Sequence, residues 1–285
     1  LKPTKEKSIL RRHPWVFSGA IKAIESGISN GDIVEIKSNK GRFLGYGHYN
    51  EGSIAIRIFE LNQLTIDNAY WEGKIKKAIS QRHQNLDING KNNIYRLVHA
   101  EGDEMPGCII DRYDNVIVMQ FHSVGMWKLK EIFSKTIAKQ LPEIDVIYDK
   151  SENTLPEVLK QEFQIQNSYL LRKIDASDVI ASEYGNQFKI NWVTGQKTGF
   201  FIDQRENRKL LGEYSQNKVI LNTFCYSGGF SIYALNKGAK EVYSLDSSKK
   251  AMKIVEENVK LLPQDLQQKH HCITDDAMDL SLIHI

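Results

Sequence analysis

The chain has 285 residues, 41% hydrophobic and 26% charged, with a formal net charge of +3. Its length exceeds one ordinary core and implies two or three domains of roughly 100–200 residues each, and no apolar run approaches the roughly 20 residues needed to cross a bilayer. The composition excludes a disordered chain, and Cys108, Cys225 and Cys272, odd in number and far apart, exclude a disulfide framework or a structural zinc site.

The stretch from Leu1 to Arg12 is polar and basic, without the apolar segment of a secretory signal, so a cytoplasmic location is expected; Leu1 in place of Met suggests a missing start. Across the first 24 residues Lys2, Lys5, Lys7, Arg11, Arg12 and Lys22 stand against Glu6 alone, an excess suited to phosphates or simply to solvent. Short alternating strands are predicted at 32–37, 42–46 and 53–59, forming a small β-domain. An amphipathic helix follows at 67–84, its apolar stripe being Ala69, Trp71, Ile75, Ala78 and Ile79.

Strands at 95–99, 107–112 and 116–121, a helix at 126–140, a strand at 145–148 and a helix at 156–160 make a central α+β unit, and a strand at 187–193 leads onward. Glu101, Asp103 and Glu104 fall in a Gly/Pro turn and read as a turn or an RNA-facing loop more readily than as an acid/base cluster. The last third alternates: helix 204–212, strand 219–223, helix 230–237, strand 241–246, helix 248–262, strand 271–274. That order implies a parallel sheet with helices on its faces, an α/β fold. Gly238 suits the position after the second of these helices, and Ser247 or Ser248 the N-cap of the third.

The turn Thr223-Phe224-Cys225-Tyr226-Ser227-Gly228-Gly229 carries the chemical inference. Ligands of parallel sheets settle beyond the carboxyl ends of strands, where glycine admits close backbone approach and the following helix start offers free N–H groups to an anion. Asp246 ends the next strand, 18 residues after Gly228, and is placed to accept bonds from both ribose hydroxyls. A nicotinamide dinucleotide usually requires G-x-G-x-x-G for its pyrophosphate, and that pattern is missing; an adenosyl ligand with an amino-acid tail fits better, with Asp276 near the adenine amino group. Cys225, at a strand end, is expected to pack structurally, and Cys108 and Cys272 to be small core residues. Strand alternation separates His270, His271 and Cys272, so no shared metal is expected.

Four segments resemble the PUA-domain-containing ribosomal RNA large-subunit cytosine-C5 methyltransferases: Arg11 to Ala20, His99 to Gly107, Asp111-Arg112-Tyr113, and Gly195 to Arg208 continued by Asn222 to Phe230. The likeness runs in order from about Lys5 to Met278. It implies a PUA-like RNA-binding domain (1–66), a helix and central α+β domain (67–184) and a Rossmann-like methyltransferase sheet (185–285) that is partial. It also implies S-adenosyl-L-methionine as cofactor, with Phe201, Gln204, Phe224, Tyr226, Ser227 and Gly228 at its methionine end and Asn222 counted with them. Asp246 then serves the ribose, and Asp276 and Ala277 the adenine. Ser227 stands where the family usually has Thr, which preserves the hydroxyl. Ribosomal RNA is the implied partner, with Arg11, Arg12, Trp15, Lys197 and Arg205 as contacts; core packing for Trp15 and pairing with nearby acids for Lys197 and Arg205 are the alternatives. A homodimer is carried as an expectation, and no membrane partner is expected.

Methylating C5 of cytosine requires a transient thiolate bond at C6, yet the family's Asp-Pro-Pro loop and later cysteine motif have no counterpart in this sequence. Catalytic residues are therefore expected beyond residue 285, and the chain is expected to be an inactive, poorly soluble fragment whose first sheet strand exposes an apolar edge. The ending Leu280 to Ile285 resembles one reading frame of a sequencing-library transposon end. Two rivals remain: a non-catalytic RNA-binding protein and a small-molecule methyltransferase.

Overall fold

The computed structural model describes residues 1–279, so the expectation attached to Leu280–Ile285 lies outside the described residues. The chain divides into two compact units, Leu1–Asp87 with Arg96–Asp175, and Ile88–Tyr95 with the chain from Ala176 onward.

In the first unit α1 (Lys7–Leu10) and β1 (Trp15–Phe17) precede β2 (Ile33–Lys37), β3 (Phe43–Tyr49) and β4 (Ile54–Glu60). The four strands form an antiparallel sheet in the order β1-β4-β3-β2. Alternation sends Ile56 and Ile58 of β4 to one face, where they bury with Ile9, Val16, Ile36 and Leu44; each such side chain contributes roughly 1.5–3 kcal/mol over exposure. β1 escapes the sequence pattern because three residues beside Pro14 are too few to show a period.

α2 (Asn68–Asn85) starts at Asp67, whose carboxylate accepts from the Tyr70 N–H at 2.9 Å. It buries Trp71, Ile75, Ala78 and Ile79, while Ala69 in the first turn stays exposed. Trp71 lies against Phe59 of β4 and His48 of β3, at centroid distances of 4.8 and 5.6 Å. Both faces of the small sheet are thus covered.

β5 (Ile94–His99), β6 (Cys108–Tyr113), β7 (Val116–Phe121), β8 (Val146–Asp149) and β9 (Ser168–Leu171) form a five-stranded sheet in chain order. The helix expected at 126–140 is two: α3 (Val124–Trp127), capped by Ser123, and α4 (Lys130–Gln140). The break aims the Trp127 indole N–H at Asp149, 3.0 Å away, and sets the Lys130 ammonium 4.1 Å above the Trp127 ring. α5 (Glu157–Glu162) packs Leu159 with Val124, Leu155 and Ile165.

The second unit opens with the hairpin β10 (Asp178–Glu183) and β11 (Asn186–Asn191). Tyr184 and Gly185 form its left-handed two-residue turn, so the boundary expected between 184 and 185 falls inside the hairpin. α6 (Arg205–Tyr214), β12 (Val219–Thr223), α7 (Gly229–Asn236), β13 (Glu241–Leu245), α8 (Lys249–Val259), α9 (Gln264–Gln267) and β14 (His270–Ile273) follow. β12, β13 and β14 are parallel in that order, and helices pack on them as the alternation implies, except on the face of β12 that bears Val219 and Leu221. Gly238 is left-handed just past α7, and the Ser248 hydroxyl accepts from the Ala251 N–H to cap α8.

A polar chain crosses this sheet. The Asn222 amide donates to Ser231 Oγ at 2.9 Å, Ser231 and Ser244 hydroxyls meet at 2.7 Å, and Ser244 Oγ meets His270 Nε2 at 2.8 Å. Among the described residues β12 is hydrogen-bonded to β13 alone, and Val219 and Leu221 are 59% and 62% exposed. Cys272, expected in the core, is exposed instead, because β14 is the sheet's other edge. Among the described residues no helix is long and apolar enough to cross a membrane.

Candidate cofactor site

The loop leaving β12 is built from left-handed residues: Phe224 at φ 55°, Tyr226 at 47° and Gly228 at 72°. Non-glycine residues rarely adopt this conformation, so something must hold them there. Cys225 N–H donates to Leu245 O at 3.2 Å, and Gly228 N–H closes back onto Cys225 O at 2.8 Å. Tyr226 N–H donates to Asp246 Oδ2 at 3.1 Å, while Ser248 N–H takes Asp246 Oδ1 at 2.9 Å. Asp246 therefore fastens the first strand's loop to the start of α8 and keeps further lone pairs free. At Gly228 a Cβ would meet Val255 Cγ1 at 3.0 Å, in a conformation that already favours glycine.

A second wall comes from the segment before α6. The Tyr226 hydroxyl accepts from Gln196 N–H at 2.8 Å, and its ring meets Phe201 edge to face at 5.3 Å. Between these walls lies a cavity of about 580 Å³. Of the residues expected at a cofactor, Phe201, Gln204, Phe224, Tyr226, Ser227 and Asp246 line it together. Phe224 is 73% exposed, an aromatic ring presented at the cavity with little packing of its own.

Four expected residues do not line the cavity. Asn222 spends its amide on Ser231. Gly228 serves through its backbone and its packing on α8. Asp276 is exposed and accepts from the Met278 N–H at 2.7 Å, and the half-buried Ala277 lies between them in the chain. The Cys225 thiol, beside the cavity, is pushed up to about 12 by burial and by Asp246, and its sulfur lies 3.7 Å from the Met252 sulfur. Burial likewise raises the thiols of Cys108 and Cys272. None of the three is poised as a thiolate.

Sequence reasoning missed Arg208 and Glu183. Arg208 lines the cavity from α6, donates Nε and Nη2 to the fully buried Glu183 at 2.9 Å, and donates Nη1 to Phe201 O at 2.8 Å. Its guanidinium also lies 4.5 Å from the Phe200 ring centroid. Arg205, expected at RNA, is buried as well: Nε donates to Glu183 at 3.2 Å and Nη2 to Ile94 O. The expectation of an RNA contact at Arg205 is corrected, since its charge is consumed inside. The pair's i, i+3 spacing on one helix face was the legible signal; the partner acid, on a hairpin upstream, was not. Lys197 is exposed in the turn beside the cavity.

In the first unit Arg11 and Arg12 are exposed, and Trp15 is half-buried with its indole N–H donating to Glu101 Oε1 at 3.0 Å.

Residues 1–61 match the family described as a PUA-like domain, and residues 170–274 the family described as S-adenosylmethionine-dependent methyltransferase. The chain is 38% identical over 261 residues to the ribosomal RNA large subunit methyltransferase I of Pseudoalteromonas atlantica, covering 91% of this chain and 65% of that protein. It is 33% identical over 278 residues to the protein of that name in Citrobacter koseri, covering 97% of this chain and 69% of the relative. A solved Streptococcus mutans protein described as a SAM-dependent methyltransferase shares the fold at a TM-score of 0.81, with 19% identity over 98% of this chain and 70% of its own. The chain thus spans about two thirds of the length of its curated relatives, 65% in the first case.

Proposed function

The chain belongs to the family of the ribosomal RNA large subunit methyltransferases I, and on that premise we propose that it binds S-adenosylmethionine in the cavity after β12 and serves methyl transfer to large-subunit ribosomal RNA. One observation carries the reading: Asp246, held by Tyr226 N–H and Ser248 N–H, faces a cavity of about 580 Å³ together with the rings of Phe201, Phe224 and Tyr226. Each carboxylate oxygen has one donor from the chain and keeps a lone pair for a ribose hydroxyl. The aromatic rings suit the adenosyl and methionine parts, and the first turn of α7 offers backbone N–H groups to a carboxylate. The bound cofactor would supply an electrophilic methyl group on a sulfonium.

The finer reading is C5 of a cytosine. It asks for a thiolate at C6, and Cys108, Cys225 and Cys272 are all held as thiols. Support for the C5 product therefore comes from the family resemblance, and the cofactor geometry supports methyl transfer in general. Arg11, Arg12, Trp15 and Lys197 are the proposed RNA contacts, and of the expected division 1–66, 67–184 and 185–285 the last boundary moves ahead of the hairpin, to 175/176. Cytoplasmic residence and a homodimer complete the proposal.

Calorimetry with S-adenosylhomocysteine tests the core of this reading. Binding is expected for the chain and is expected to weaken about tenfold or more in Asp246→Ala, the loss of hydrogen bonds to a charged group. Heat with a nicotinamide dinucleotide and none with S-adenosylhomocysteine would reject it.

A further inference from the structure

A second cavity, of about 630 Å³, lies in the first unit, where β4, the start of α2 and the turn at Ala100–Asp103 meet. It brings together two segments 86 residues apart in the chain, since Trp15 donates its indole N–H to Glu101. Its cations are Arg12, Lys74 and Lys77, and its carboxylates Glu60, Glu101 and Glu104. Most of these charges are spent on one another. Lys74 and Lys77 both reach Glu104 Oε2, at 2.6 and 3.3 Å, and Glu60 Oε1 accepts from Leu61 N–H, Asn62 N–H and the Asn62 amide.

Three groups are left over. Among the described residues none accepts a hydrogen bond from the exposed Arg12 guanidinium, and no hydrogen-bond donor reaches Glu101 Oε2 or Glu104 Oε1, although the Arg57 charge lies near Glu101. Arg12 and Glu104 are both left-handed, at φ 60° and 58°, a conformation that non-glycine residues hold only where the surroundings impose it. The turn bearing Glu101 and Glu104 is pinned: Arg82 donates Nη1 to Asp103 at 2.7 Å, and Asp103 also accepts from His99 N–H. The walls are therefore preformed. Pro14, Pro106 and the Tyr70 ring line the same cavity and add flat apolar surface to it.

We propose that this cavity binds one nucleotide, its phosphate at Arg12 and its base presenting adjacent N–H donors to Glu101 and Glu104, as guanine does. A lone anion would use Arg12 and be repelled by the carboxylates; a lone cation would do the reverse. A ligand carrying an anion and N–H donors on one flat body satisfies both walls, and the volume lies in the range of small-molecule sites. The proposal rests on the RNA reading only for the source of the nucleotide, an unpaired guanosine of RNA or a free mononucleotide.

The indole N–H of Trp15, held on Glu101, is the reporter, assigned in a nitrogen–proton spectrum of the full chain by its loss in Trp15→Phe. Titration with 5′-guanosine monophosphate is expected to move that resonance saturably, whereas uridine monophosphate, with acceptors flanking its single N–H, moves it far less. Arg12→Gln, which removes the charge and shortens the side chain, and Glu101→Gln, which keeps the size and removes the charge, are each expected to weaken binding about tenfold, the loss of one charge-assisted contact. An oligoribonucleotide with one unpaired guanosine binding more tightly than the mononucleotide assigns the site to RNA; equal binding assigns it to free nucleotides. An unmoved resonance at millimolar guanosine monophosphate, or an equal response to inorganic phosphate, overturns the proposal. S-adenosylhomocysteine binding is measured separately, so failure here leaves the cofactor reading standing.

Discussion

Glu183 gathers four donors onto one buried carboxylate: Arg205 Nε at 3.2 Å, Arg208 Nε and Nη2 at 2.9 Å, and the Tyr233 hydroxyl at 3.0 Å. Burial and the Glu183 charge both raise the Tyr233 phenol, which keeps it a donor. Removing one member of such a set strands the others without water, and this cost exceeds what the set contributes over a well-packed apolar substitute. Glu183→Gln is accordingly expected to lower unfolding stability by about 3–5 kcal/mol, read as an earlier urea midpoint at unchanged slope. Because Arg208 also holds Phe201 O, the same change should weaken S-adenosylhomocysteine binding. An unshifted midpoint would show that the cluster is not a stabilising unit.

At the scale of elements, the chain Asn222–Ser231–Ser244–His270 ties β12, α7, β13 and β14 together through side chains. Burial, with His271 as a lesser influence, pushes His270 down to about 4 from the ordinary 6.5, and burial takes His48 of β3 to about 3. Both rings are neutral in the folded protein and charge more readily once unfolded. Their contribution is complete above the unfolded value of about 6.5 and is lost as pH falls through the folded values. The melting temperature should therefore decline from pH 6.5 toward 4, and less steeply in His270→Gln; equal slopes for both proteins would exclude His270 as a source. β12, α7, β13 and α8 were legible because each is a short apolar run or a 3.6-residue stripe bounded by Gly, Ser or Pro, whereas the single turn α9 was not. β1, β9 and β10 were not, being short or mixed in polarity and fixed by partners far along the chain. The same holds at the site. Asp246 and the Phe224–Gly228 loop follow from local order, whereas the Glu183–Arg208 contact depends on a hairpin that folds back from twenty-five residues upstream.

For the molecule as a whole, each of the two units carries one of the cavities described above, bordered by loops that sequence motifs had marked. The three-stranded sheet has two bare borders among the described residues, β12 and β14, and they differ in character: Val219 and Leu221 are apolar, whereas His270 and His271 are polar. Two copies joined β12 to β12 about a twofold axis exhaust the apolar border and stop at a pair, whereas β12 joined to β14 leaves a fresh border on every copy and propagates without limit. Sedimentation velocity over a concentration series separates the two. For residues 1–285 by themselves a plateau at twice the monomer mass is expected, and a continuous rise in mass would mean that growth is head to tail. The outer side of one strand thus decides whether this stretch of chain counts to two or never stops counting.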